Sequence, residues 1–228
     1  MTTHVTASMD EPRTGPAVAE LRELLVSYAR AAPPRRIAIV GNAPMPPDPN
    51  RALRIDAADL VVRMTSFALD RPGEPATLGS RCDVVVLHRG VVASPFTYAH
   101  YTERLYLLVE PGRLHWEREP LPPWWPADLG FVPVPNREYT SPLIDLLGLD
   151  PVQPVWPTTG TLITYLMTAL FPGSDVLLTG MSIVDNVDQV EFRHAWGPPV
   201  PVTAEHRLAA EAALLRSWHA DGRIELLP

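Results

Sequence analysis

Four short segments of the chain carry residue types suited to holding a phosphate and moving a proton. The apolar run Arg36-Ile-Ala-Ile-Val40 ends at Gly41-Asn42. Glycine lets the backbone turn close to a ligand there, and an asparagine amide both donates and accepts hydrogen bonds. Further on, Pro157-Thr158-Thr159-Gly160 leads into an apolar stretch that runs to Phe171. Hydroxyls at a helix start accept its free N–H groups, and the positive end of the helix dipole favours an anion. His194 stands in Arg193-His194-Ala195-Trp196, and His206 is followed five residues later by Glu211. A helix over 204–220 capped by Thr203 puts His206 in its first turn, where the dipole disfavours imidazolium and leaves a neutral ring fit to act as a base. Glu211 then lies about 140° further round the axis, out of direct reach of His206. Each segment also has a plain reading: Gly-Asn after a strand makes an ordinary turn, hydroxyls at a helix start make an ordinary cap, and a single histidine serves structure as readily as catalysis.

Composition removes several other chemistries. The 228 residues contain 19 basic side chains, all of them arginine. Without lysine the chain forms no Schiff base and has no phosphate-loop lysine. Its one cysteine, Cys82, closes neither an intrachain disulfide nor a cysteine-based zinc site. No Asp-x-Asp sequence offers a divalent metal its usual pair of carboxylates. A net charge of −7 argues against a nucleic-acid partner, which needs a basic face. The apolar runs are shorter than the roughly 18 residues of a membrane span, and the first thirteen residues lack the apolar core of a secretory signal. A cytoplasmic location follows as the expectation. All-arginine usage together with 27 prolines suits the coding bias of a GC-rich, bacterial genome.

The elements that must position these residues are legible in outline. Residues 1–16 are polar and aperiodic, a flexible tail; residues 17–228 form a single domain. Apolar residues Val18, Leu21, Leu24, Leu25 and Tyr28 recur at helical spacing. Short apolar strands are expected at 36–40, 60–64, 83–87, 105–109, 131–134, 176–179 and 224–227, and helices at 140–147, 159–171 and 204–220. Strands alternating with helices make an α/β fold, a mainly parallel sheet flanked by helices on both faces. In such sheets ligands sit outside the carboxyl ends of the strands, where Gly41 and Asn42 fall. Residues 111–135, rich in Pro and holding Trp116, Trp124 and Trp125, read as a long loop, either a packed lid or a surface on which a sugar ring stacks.

Taken in order, the segments resemble the sialyltransferases of glycosyltransferase family 29. Ile37-Ala-Ile-Val-Gly-Asn42, Ala58-Asp-Leu-Val-Val-Arg-Met-Thr65 and Gly79-Ser-Arg81 resemble that family's large sialyl motif. Pro157-Thr-Thr-Gly160 through Val176-Leu-Leu-Thr-Gly180 resembles the small motif, His194-Ala-Trp196 the third, and His206 with Glu211 the very small His-x-x-x-x-Glu motif. The resemblance covers about residues 36–228.

It implies a Rossmann-like, single-domain glycosyltransferase, a variant of the GT-A type, that inverts the anomeric centre. The donor would be a CMP-sugar, such as one of the sialic acid kind, and the acceptor a small molecule or glycan; no cofactor and no metal is implied. Gly41, Asn42, Thr65, Thr158, Thr159 and Gly160 would line the donor site, His194 would neutralise the phosphate, His206 would deprotonate the acceptor hydroxyl, and Glu211 would support them. Two departures stand out. The large motif usually has Asn where this chain has Thr65, which removes an amide from the donor site and bears on nucleotide preference. The disulfide that joins the large and small motifs in animal members has no partner for Cys82, as suits a reducing compartment. Two other functions fit the same residues: a CMP-sugar or nucleotide hydrolase, in which water replaces the acceptor, and a non-catalytic nucleotide-binding protein that keeps the fold.

Overall fold

The computed structural model describes residues 16–88, 90, 93–112, 123 and 125–228. The polar tail at 1–15 and the rings of Trp116 and Trp124 lie outside them. Among the described residues the strands are β1 (Arg36–Val40), β2 (Leu60–Met64), β3 (Val84–Leu87), β4 (Leu105–Leu108), β5 (Val132–Pro133), β6 (Asp175–Thr179), β7 (Glu191–Phe192), β8 (Val200–Pro201) and β9 (Glu225–Leu226). The helices are α1 (Pro16–Ser27), α2 (Pro49–Asp56), α3 (Ser141–Leu146), α4 (Thr159–Leu170), α5 (Ser182–Asp185) and α6 (Leu208–Ala220). Single helical turns of other pitch cover Tyr101–Glu103 and Asn136–Thr140, the second leading directly into α3.

Seven strands form one sheet in the order β5-β4-β3-β2-β1-β6-β9, and every pair in it is parallel. β2, β3 and β4 are apolar and buried at nearly every position because both faces are covered. Alternation within β1 sorts the two layers: Ile37 and Ile39 pack with Leu21 and Leu25 of α1, Leu162 and Leu166 of α4 and Leu215 of α6, while Ala38 and Val40 pack with Ile55 of α2. The second face is completed by an aromatic patch instead of a helix. Trp125 lies 5.5–6.3 Å, edge to face, from Phe131, Tyr98 and Tyr106, and its indole N–H donates to the Leu129 carbonyl at 2.9 Å. Trp125 is thus a packed residue of this layer and not a ligand platform.

The segment between β2 and β3 is folded around a buried arginine. Arg63, fully buried in β2, donates to the carbonyl oxygens of Leu78 at 2.6 Å and Arg81 at 2.7 Å. Burial lowers its pKa, and the carbonyls supply the compensating dipoles. Gly79, at φ +74°, permits the turn that brings them there. Residues 58–65 and 79–81 therefore meet in one structural knot.

The sheet reverses direction of growth at β1. From β1 the chain adds β2 to β5 on one side, then returns to place β6 and β9 on the other. A crevice at the carboxyl ends of β1 and β6 is the consequence, the usual ligand position in open α/β sheets. The two strands are very close there. Gly41 N–H donates to Thr179 O at 2.8 Å, and Ala43 N–H donates to Gly180 O at 3.0 Å.

Candidate active site

A cavity of about 640 Å³ occupies this crevice. Its floor is made by Gly41 and Asn42 after β1, Thr65 and Ser66 after β2, His88 after β3 and Gly180 after β6. The cavity is lined further by Trp156 to Gly160, entering α4, by the β7–β8 hairpin with His194, and by His206. Every donor-site residue singled out in the sequence lines this cavity, as do both histidines. Glu211 alone stands behind it.

Asn42 is 9 % exposed and donates its side-chain N–H to the Thr65 hydroxyl, which leaves the amide oxygen buried without a partner among the described residues. Thr65 itself sits at φ 53°, the left-handed region that a β-branched residue enters only at a cost. Asparagine tolerates that conformation far better. Thr65→Asn is therefore expected to raise stability by about 0.5–1 kcal/mol in urea denaturation; a loss instead would show that the Asn42–Thr65 bond outweighs the strain.

α4 begins as its sequence dictates. The Thr158 hydroxyl accepts from Thr161 N–H at 3.4 Å, and Gly160 leaves room for the Met181 thioether, whose sulfur would lie 2.6 Å from a Cβ there. Glu211 fixes the same point from α6. Fully buried, its Oε2 accepts from the Thr158 N–H at 2.9 Å and from the Thr158 hydroxyl at 2.6 Å, while Oε1 has no partner among the described residues. The acidic member of the His-x-x-x-x-Glu pair thus reaches the helix start, not the histidine.

The position of His206 differs from the sequence-based expectation. α6 starts at Leu208 with Arg207 as its N-cap, so Thr203 is not the cap and His206 precedes the helix. The reason lies in the segment it pairs with. Trp156 N–H donates to Glu205 O at 3.2 Å, and His206 Nδ1 lies 3.1 Å from Trp156 O, which holds residues 205 and 206 in register with residue 156 before the helix can begin. A carbonyl only accepts, so Nδ1 of His206 carries the hydrogen and Nε2 of the neutral ring keeps a free lone pair. The tautomer, and not the helix dipole, leaves this ring fit to act as a base.

His194 is held by the hairpin, and the hairpin is held to the first loop by Ala195 N–H donating to Asn42 O at 2.7 Å. Burial lowers the His194 pKa. His88 was not singled out by sequence reasoning, yet it lines the cavity, and its pKa is lowered by burial and then by the nearby His206 and His194. Trp156 joins the lining too: a Cβ on Gly112 would meet its ring at 3.1 Å, so that glycine lets the chain lie against the indole. Cys82 is buried away from the cavity, its thiol pushed up to about 11 by desolvation, which makes it inert. Among the described residues no group of three His, Cys, Asp or Glu is placed to hold a metal ion, and no helix is long and apolar enough to cross a membrane.

Comparison with known proteins places the architecture. No protein-family model and no curated protein matches the chain. Among solved structures, a mammalian sialyltransferase is similar over 96 % of this chain and 80 % of its own, with a TM-score of 0.57 and 17 % identity. A mammalian sialyltransferase in complex with Gal-beta-1-3GalNAc-ortho-nitrophenol is similar over 85 % of this chain and 69 % of its own, with a TM-score of 0.55 and 18 % identity. The chain has the sialyltransferase-type fold, a GT-A-like α/β variant.

Proposed function

We propose that the cavity binds a CMP-activated sugar of the sialic acid class and transfers the sugar, with inversion and without a metal ion, to an acceptor hydroxyl. The observation that carries this reading is the convergence of Asn42, the Thr158 to Gly160 helix start, His194 and His206 on one cavity at the switch point of a sialyltransferase-type fold. Nε2 of His206 takes the proton of the acceptor hydroxyl as its oxygen attacks the anomeric carbon. The bond from that carbon to the phosphate oxygen breaks, and CMP leaves with the electron pair. Its charge is met by the N–H groups opening α4 and by His194, which gains a proton or a hydrogen bond as the phosphate arrives. A nucleoside monophosphate carries less charge than a diphosphate, so one histidine and one helix start suffice. The buried lone Cys82 suits a reducing compartment such as the cytoplasm.

Release of CMP from CMP-sialic acid tests the reading. It is expected to proceed at the same rate in EDTA as in magnesium, slowly to water and faster once an acceptor is supplied. A requirement for manganese or magnesium would overturn the metal-independent mechanism, and release that no acceptor accelerates would favour the hydrolase.

A further inference from the structure

The β7–β8 hairpin borders two hollows. On one side is the cavity just described; on the other is a groove of about 1010 Å³ lined by Asp185, Asp188 and Glu191. These acidic side chains share the groove with Val184 and Val190, and Arg193, which borders both hollows, is held by Glu191 at 2.8 Å. Towards the cavity the hairpin presents Trp196, Pro198, Val200 and Pro201. These are large apolar groups left in water: Trp196 is 38 % exposed and Val200 46 %. Exposed apolar side chains gathered at the mouth of a pocket mark a binding surface, whereas scattered ones do not.

Their position relative to His206 says what they would touch. Phe192, in the strand β7 of the same hairpin, packs edge-on against the His206 ring with centroids 6.0 Å apart. A hydroxyl that gives its proton to His206 therefore brings the rest of its molecule over the hairpin. Arg193, His194 and Thr203 line the same cavity and offer polar atoms, while an indole with flanking prolines and a valine would cover a ring or an alkyl chain. We propose that this face of the hairpin is an acceptor subsite for an aromatic or aliphatic group attached beside the reacting hydroxyl, so that the preferred acceptor is a hydrophobic molecule or a sugar bearing a hydrophobic aglycone. The proposal rests on the transferase reading above.

Matched phenyl and methyl glycosides of glucose and galactose, titrated into the full chain saturated with CMP and followed by calorimetry, test it. The phenyl member of at least one pair is expected to bind about tenfold tighter than its methyl partner. Trp196→Ala and Val200→Ser are each expected to bring that ratio down towards unity. Both positions are exposed, and CMP-induced stabilisation of the Val200→Ser variant reports that the fold is intact. Equal affinities for every phenyl and methyl pair, no binding by any phenyl glycoside, or a ratio that both variants leave unchanged would overturn the subsite. Failure of the donor reading is separate: it shows as the absence of any CMP stabilisation, and the phenyl-to-methyl ratio measured without CMP still decides the subsite.

Discussion

His206→Ala is expected to lower the rate of sugar transfer by roughly 10²–10⁴, the usual worth of a positioned proton transfer, while CMP binds as tightly as before. The expectation comes from the ring's surroundings. Trp156 O fixes the hydrogen on Nδ1, Phe192 packs against the ring, and the ring lines the cavity where an acceptor hydroxyl would lie. Nothing in that arrangement assigns the ring to the leaving phosphate. His194→Ala should behave differently, weakening CMP binding and turnover together, because a hydrogen bond to a charged phosphate is lost in the ground state as well as in the transition state. Calorimetric titration of CMP into each variant, beside a turnover assay, separates the two roles. If His206→Ala abolished CMP binding and His194→Ala left it untouched, the assignments would be reversed.

Gly41→Ala is expected to cost at least about 3 kcal/mol of stability, enough to unfold much of the population of a marginally stable domain. A Cβ at Gly41 would stand 2.2 Å from Gly180 O and 2.7 Å from its carbonyl carbon. Both are backbone atoms, so relief requires β1 and β6 to separate where Gly41 and Ala43 donate to Thr179 and Gly180. Overpacking alone costs about 1–3 kcal/mol, and loss of those bonds adds to it. Gly130→Ala is the control, since a Cβ there meets nothing within 4 Å; it should stay within about 0.5 kcal/mol of the parent. Urea denaturation that found Gly41→Ala as stable as Gly130→Ala would mean that the two strand ends are not in contact.

Much of this arrangement can be read from the sequence, and the parts that cannot have physical reasons. β1 and β2 have the limits that their apolar runs suggest, because a strand buried on both faces shows as an unbroken apolar segment. α4 shows equally well, its hydroxyl cap and glycine marking the start. α2, absent from the sequence-based expectation, has a signal of its own: Asp48 accepts from the N–H groups of Asn50 and Arg51, and Pro49 opens the helix. Its surrounding prolines disguised it as loop. β7 and β8 are two residues each, too short for any period, and their pairing depends on tertiary contact. The start of α6 depends on tertiary contact in the same way, since Trp156 holds residues 205 and 206 from about fifty positions away. His88 was within reach of the rule that located Asn42, for it too follows a buried strand at its carboxyl end. Its place beside the other two histidines appears only once β3 is set two strands from β1.

The claim on which all of this depends is that the cavity reads a cytosine ring and one phosphate, and a melting experiment with four nucleotides tests it most directly. At a hundredfold excess over its dissociation constant a ligand adds about 2.7 kcal/mol, a rise of about 5–10 °C for a domain of this size. CMP and CDP are expected to give shifts of that order, and UMP and AMP at the same concentration much smaller ones. Equal shifts from all four nucleotides, or none from any, would contradict the account.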